Sequence, residues 1–352
     1  MRARARAWIE AELRPHAAAW EAAGAFPDAV FGQLAAAGWL GLKYERQWGG
    51  GGLGRVADAV FAEELARCGS GGLAAGIGAH TGIATPPIWR FGSEAQKRRW
   101  LVPALRGEAI GALAITEPDA GSDVAAVRTR ARRVDGGWVV DGAKTFITNG
   151  VRASFYVTAV KTSDVGGHQG LSFLVMERGR GVTARPLRKL GWHASDTAEV
   201  AFSGVVVGED QLLGEEGRGF QLIMANFQWE RLLMALGAVG AMRVALERVV
   251  AGGPRGQATR HAVAWHAART EAAAALTYQA LRRFLDGEDA VREVSMAKLL
   301  TQRACLELYE DAWRLCDGDP ELERGLRDAR LGPIGGGTDE IMREIVGRSY
   351  GL

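Results

Sequence analysis

Glu230 stands where the surrounding pattern calls for an apolar residue. Around the stretch NFQWERLLMALGAVG, Phe220, Ile223, Phe227, Met234, Gly237 and Ala241 follow one another at steps of three, four, seven, three and four, and Glu230 fills the gap between Phe227 and Met234. That spacing is one face of an α-helix. A carboxylate on such a face is costly to bury unpaired, and burial raises its pKa. The chain therefore either pairs it locally or uses it as a base. Arg231 is next in sequence but about 100° round the helix, so it is not an automatic partner.

Two further segments combine small residues with hydroxyls beside β-rich text: AITEPDAGSDV, from Ala114 to Val124, and KTFITNG, from Lys144 to Gly150. Small residues let backbone approach a ligand closely, and Ser and Thr hydroxyls donate and accept. The pair suits a flat, hydrogen-bonding ligand, whereas either segment alone reads equally well as a turn that satisfies its own backbone. Metal chemistry has no support in the histidines: His16, His80, His168, His193, His261 and His266 show no HxxxH or HExxH spacing. Cys68, Cys305 and Cys316 form no CxxC pair, which argues against a disulfide framework and for a reducing cytoplasm. The glycine run at 49–52 is followed by neither GK[ST] nor a Rossmann pattern and reads as a flexible loop.

These residues need a frame. The 352 residues are 47% hydrophobic and 24% charged, enough for a large core, and a net charge of +2 gives no reason to expect a nucleic-acid or anionic membrane surface. The N-terminus alternates polar and apolar residues and lacks the run of a signal peptide or membrane span. Ala-rich helical periods fill residues 1–109, short β-rich runs such as GWVVDG, SFYVTAV, LSFLVME and TAEVAFSGVVV fill 110–214, and helical periods return over 215–352. The order is α, β, α: an α+β chain with a small antiparallel sheet or barrel between an N-terminal helical domain and a C-terminal helical bundle. Helices are expected near 217–250, 258–287, 291–316, 320–329 and 338–348.

Taken in order, RFGSEAQKRRWLVPALRGEAIGA, TEPDAGSD, FITNG, KLGWHASDTAEVAF and RLGPIGGGTDEIMREIVGR resemble the acyl-CoA dehydrogenase family over nearly the whole chain. The resemblance implies two helical domains around a β domain, FAD in the cleft, and desaturation of an acyl thioester by α-proton removal with β-hydride transfer. Most members carry the base in a YEGT motif; here the aligned text is GGGT, with Gly336 at the glutamate's place. The isovaleryl and long-chain branches carry it in an ERL context like that of Glu230, so resemblance and periodicity converge on one residue. By position, Ile115, Thr116 and Ser122 are expected to bind the flavin ring and phosphates, and Ser122 also to meet substrate. Phe146 and Thr148 are expected to stack and hydrogen-bond at the ring, although ordinary core packing is an equal reading for Phe146. Thr338 is expected to close the flavin cleft and Arg231 to organise the substrate mouth. A backbone N–H together with a flavin hydroxyl would polarise the thioester carbonyl.

Two family motifs are missing. The RxxFG region is replaced by VVAGGPRGQATRHAVAW, where Arg255 can substitute only if this loop reorganises, and the QxxGGxG region by RLCDGDPELERGLRDARL. Both belong to the surface that reaches a neighbour's FAD across a dimer. The expectation is an oligomer, with one subunit of a heteromeric enzyme favoured over a divergent homo-oligomer acting on CoA or carrier-protein thioesters. An electron-transfer flavoprotein is the expected type of electron acceptor. A different reading is a scaffold that has lost FAD and serves as a non-redox enzyme or structural partner subunit.

Overall fold

Alanine-rich periodic text becomes helix wherever its apolar residues can meet. A computed structural model of the chain describes residues 1–165 and 167–352. It begins with α1 (Arg2–Glu12), α2 (Ala17–Ala23), α3 (Ala29–Ala36), α4 (Gly54–Leu65), α5 (Gly71–Gly78), α6 (Thr85–Phe91), α7 (Glu94–Gln96) and α8 (Val102–Leu105), with π-helical turns at Ala79–Ala84 and Lys97–Leu101. Ala5, Ile9 and Leu13 recur every fourth residue and share one core with Phe31, Leu34, Phe61 and Leu65. The glycine run is not a flexible loop. The amides of Gly50, Gly51, Gly52 and Leu53 donate to the carbonyls of Glu45, Gly41, Tyr44 and Leu42 at 3.1, 2.9, 2.8 and 2.9 Å. A Cβ at Gly50 would fall 2.2 Å from the Tyr44 carbonyl oxygen, so the glycine is there for close approach.

The middle of the chain forms one sheet from β1 (Gly111–Ala114), β2 (Arg130–Val134), β3 (Gly137–Ile147), β4 (Phe155–Lys161), β5 (Leu171–Glu177), β6 (Val182–Pro186), β7 (Ala198–Gly208) and β8 (Leu212–Leu213). The order is β6-β7-β3-β2-β4-β5-β8, with β1 on β4. The sheet expected as antiparallel is mainly so but mixed: β1 lies parallel to β4, and β2 meets β4 in parallel at Arg130 and Lys161. Parallel partners need a long crossover, and the chain between β1 and β4 supplies it through the β2–β3 hairpin. β4 and β5 are buried along almost their whole length. Phe155, Val157, Phe173 and Val175 face the helices with Ile88, Trp100 and Leu105, while Tyr156, Leu174 and Met176 face Trp138, Val140, Val200 and Val207 as the sheet curls over itself.

The returning helical period is α9 (Gly219–Gly252), α10 (Gln257–Leu285), α11 (Val291–Leu315), α12 (Pro320–Ala329) and α13 (Asp339–Arg348), each within two residues of its expected limits. α9 presses against α4 so closely that a Cβ at Gly240 would lie 2.0 Å from the Glu63 carbonyl oxygen. Its N-terminal end is tied to the sheet, where the Gly217 amide donates to Ser172 Oγ at 2.9 Å. Asn226 Nδ2 donates to the Ile83 carbonyl at 3.1 Å. The deep face of α9 carries Trp229, Leu232 and Leu236, packed with Ala59, Ala280 and Val294. The stripe that contains Glu230 is different: Phe220, Phe227, Met234, Gly237 and Ala241 are only half-buried. It lines a gap rather than filling a core, which is how a carboxylate can belong to it. Among the described residues no helix is long and apolar enough to cross a membrane.

Candidate active site

Glu230 is half-buried on α9 and faces the turn that precedes α13. A Cβ built on Gly336 would lie 3.9 Å from Glu230 Oε1 and 2.4 Å from Met234 Sδ. Positions 230 and 336 thus look into the same space. Gly336 has φ +64, where a side chain is strained, and Met234 already occupies the direction a side chain would take. The carboxylate in this space comes from the helix, at Glu230. Burial pushes the Glu230 carboxyl up to about 7, against the opposing pull of the Arg231 and Lys298 cations.

Arg231 is buried, and its Nε donates to the Gly336 carbonyl at 3.2 Å. Lys298 Nζ donates to the next carbonyl, that of Gly337, at 2.6 Å, and lies 3.9 Å from Asp339 Oδ1. Asp339 is taken by Arg303. Thr338 is the N-cap of α13, its hydroxyl accepting from the Ile341 amide at 3.3 Å. Among the described residues the amides of Gly336, Gly337 and Thr338 have no acceptor. The turn beside the base therefore has its carbonyls held by cations and its N–H groups available.

The two hydroxyl-bearing loops are locked together. The Thr145 amide donates to the Thr116 carbonyl at 2.9 Å. Buried Lys144 donates to the Ile115 carbonyl at 3.0 Å and to Glu117 Oε1 at 2.8 Å, and Glu117 also accepts from the Thr129 and Arg128 amides at 2.8 and 2.6 Å. Ile115 is buried beneath half-buried Thr116, and Ser122 is exposed at the loop tip. Phe146 is 69% exposed and adopts φ +57, which excludes the core-packing reading. An exposed ring on a backbone conformation that is rare outside glycine is a feature that ligand sites use. Half-buried Thr148 follows it. Asn149 is buried at φ +62, donates to the Gly76 carbonyl at 2.8 Å, and has no partner for Oδ1 among the described residues.

The structure thus gathers Glu230, Arg231 and the Thr338 turn in one group, and Ile115, Thr116, Phe146 and Thr148 in another. No hydrogen bond or ion pair joins the groups directly among the described residues. Both lean on the continuous helical segment from α5 to Ala84, through Asn149 on Gly76 and Asn226 on Ile83. Lys298, Lys144 and Asn149 were missed as site residues. Lys298 could have been found as Glu230 was, since it falls in register with the buried Val294, Thr301 and Cys305 on α11.

The two places where the usual cofactor grip is missing are filled differently. Arg255 is exposed in the short connection between α9 and α10. The acidic start of α12 is neutralised from within the chain: its N-cap Asp319 accepts from Arg248 Nε at 2.8 and 2.6 Å, and Glu321 pairs with Arg248 at 2.7 Å and with Arg14 at 2.8 Å. Neither arginine is left over for a phosphate.

A sheet between helical layers is the frame that the resemblance to flavin-dependent acyl dehydrogenases implies, and here it sets an elevated carboxylate against a glycine turn. The sequence comparisons agree: residues 1–108, 112–205 and 217–351 match the acyl-CoA dehydrogenase N-terminal, middle and C-terminal domains. The chain is 34% identical to an acyl-CoA dehydrogenase of Bacillus subtilis, covering 99% of this chain and 96% of that protein. It is 33% identical to a mitochondrial isovaleryl-CoA dehydrogenase of Oryza sativa, covering 96% and 87% respectively. A crystal structure of a probable acyl-CoA dehydrogenase from Mycobacterium abscessus superposes with a TM-score of 0.95 at 40% identity, covering 98% of this chain and 96% of that one. The chain belongs to the acyl-CoA dehydrogenase family, FAD-dependent oxidoreductases of acyl thioesters.

Proposed function

We propose that this protein removes a hydrogen pair across the α,β bond of an acyl thioester, with Glu230 as the base. The observation that carries this reading is the half-buried carboxylate of Glu230, raised to about 7, in the space that Gly336 leaves open. A base of that strength takes a proton near neutrality without being too weak to do so. The α-proton moves to Glu230, and the negative charge left behind spreads onto the thioester oxygen. The available amides of the Gly336–Thr338 turn stabilise that oxygen, with the turn beside the base supplying the donors. Bound FAD supplies the acceptor for the β-hydride. Ile115, Thr116 and Ser122 hold it from one loop, Phe146 and Thr148 from the other, and Thr338 closes the cleft. Ser122, exposed at the loop tip, also meets the thioester. Arg231 acts from below the surface, through the turn.

The internal pairing of Arg14 and Arg248 with Asp319 and Glu321 favours a heteromeric assembly, in which a related chain grips the adenosine half of FAD. A scaffold without flavin has no need of two interlocked loops and an outward ring at Phe146. We place the enzyme in the cytoplasm, passing electrons to an electron-transfer flavoprotein. The test is the visible spectrum of the purified chain, alone, with added FAD, and co-expressed with a related family member, with solution mass recorded on each sample. Flavin that bleaches with an acyl thioester in any of these assemblies supports dehydrogenation, and the sample in which it occurs identifies the assembly. Flavin retained but unbleached across a range of acyl thioesters contradicts it.

A further inference from the structure

We infer that Lys298 is a positioning residue of the thioester-binding turn: with Arg231 it pins the consecutive carbonyls of Gly336 and Gly337, leaving the amides of that turn free for the substrate carbonyl. The inference rests on the dehydrogenase reading given above. Lys298 lies on the buried face of α11 with Val294, Ala297 and Thr301, and is wholly buried. An ammonium in such a place is costly, and a methionine of similar length would fill the same space without that cost. The charge is not spent on a close ion pair. Its short contact is the Gly337 carbonyl at 2.6 Å; Asp339 Oδ1 stays 3.9 Å away, and Arg303 engages the other oxygen, Oδ2.

The turn itself explains the expense. Gly336 and Gly337 have φ +64 and +93, and two successive glycines make the softest backbone a chain can offer. Oxyanion donors are effective only when held in place before charge develops. Two cations on two successive carbonyls hold them. Each pinned carbonyl shares a peptide unit with the next amide, so Arg231 polarises the N–H of Gly337 and Lys298 that of Thr338. The charged groups facing Glu230 are Arg231 on its own helix and Lys298 from α11, with Asp339 and Arg303 behind Lys298. The balance around the base is cationic, which favours both the carboxylate and the enolate formed beside it.

The experiment compares wild type, Lys298→Met and Lys298→Gln as the flavin-loaded assembly, using cinnamoyl-CoA as a conjugated probe whose absorption moves to the red when its carbonyl is polarised. A saturated acyl-CoA is used to bleach the flavin across a range of pH. Lys298→Met is expected to lose most of the probe's red shift and to slow bleaching on the order of a hundredfold, with probe affinity little changed. Lys298→Gln keeps a donor for Gly337 without the charge, so it retains most of the red shift while its bleaching midpoint moves above about 7, because a cation that lowers the Glu230 pKa is gone. If the methionine variant does not fold, the glutamine variant decides alone. A full red shift and unchanged rate in Lys298→Met with only a lower melting temperature, or an unmoved midpoint in Lys298→Gln, overturns the assignment. A wild-type assembly that neither shifts the probe nor bleaches overturns the dehydrogenase reading, and this assignment with it.

Discussion

Glu230 was legible because helical periodicity is strict enough to make a carboxylate conspicuous between Phe227 and Met234. What periodicity does not reveal is which of a helix's apolar stripes is core and which lines a gap; that depends on where α4, α10 and the 336 turn come to rest. The same limit hid Lys298, whose hydrogen-bond partner is a carbonyl 39 residues away, and the bond from Arg231 to the Gly336 carbonyl. The raised pKa of Glu230 carries a stability consequence. Between the ordinary carboxylate value and about 7 the folded chain holds a proton that the unfolded chain has released, so this group's contribution to stability falls as pH rises through that window. Glu230→Gln should therefore raise the melting temperature at pH about 8 and change it little at pH about 5. Thermal melts at the two pH values check this, and equal shifts at both would mean that the carboxyl is not elevated. Bleaching of wild-type flavin by substrate should in turn rise with pH through a midpoint near 7.

At the scale of elements, the helix limits and the alternating strands were readable, whereas strand direction was not. Alternation tells which face of a strand is buried but says nothing of parallel or antiparallel pairing, so the β1–β4 pair came as a correction. The glycine run misled for a related reason: glycine permits both mobility and close approach, and at Gly50 the backbone of Tyr44 decides for the latter. The turn at 335–338 should be as intolerant. Gly336→Ala places a methyl against Met234 in a left-handed backbone, a strain of about 1–3 kcal/mol, and should depress thioester-driven bleaching while leaving flavin content unchanged. Stopped-flow bleaching beside a flavin assay separates the two effects. In the β domain, Lys144→Met leaves Glu117 buried without its cation, at a cost of roughly 3–5 kcal/mol. Because that pair joins both of the loops proposed to hold flavin, FAD affinity should fall with the melting temperature, and a fall in one without the other would show that the loops are not mechanically tied.

At the scale of the whole molecule, two halves of one cofactor site are treated differently by this chain. The loops at 115–122 and 144–148 are built with buried pairing and an outward Phe146 at φ +57, while on the surface the resemblance assigns to the adenosine half Arg248 is paired with Asp319 and Glu321 and Arg255 stands exposed. The heteromeric reading follows from that asymmetry, and the chemistry follows from Glu230. The most direct test of that chemistry is anaerobic mixing of the flavin-loaded Glu230→Gln assembly with a saturated acyl-CoA, following visible flavin absorbance. Flavin content equal to wild type with reduction slowed by roughly 10²–10⁴-fold is the predicted result; reduction at the wild-type rate would show that another group removes the proton.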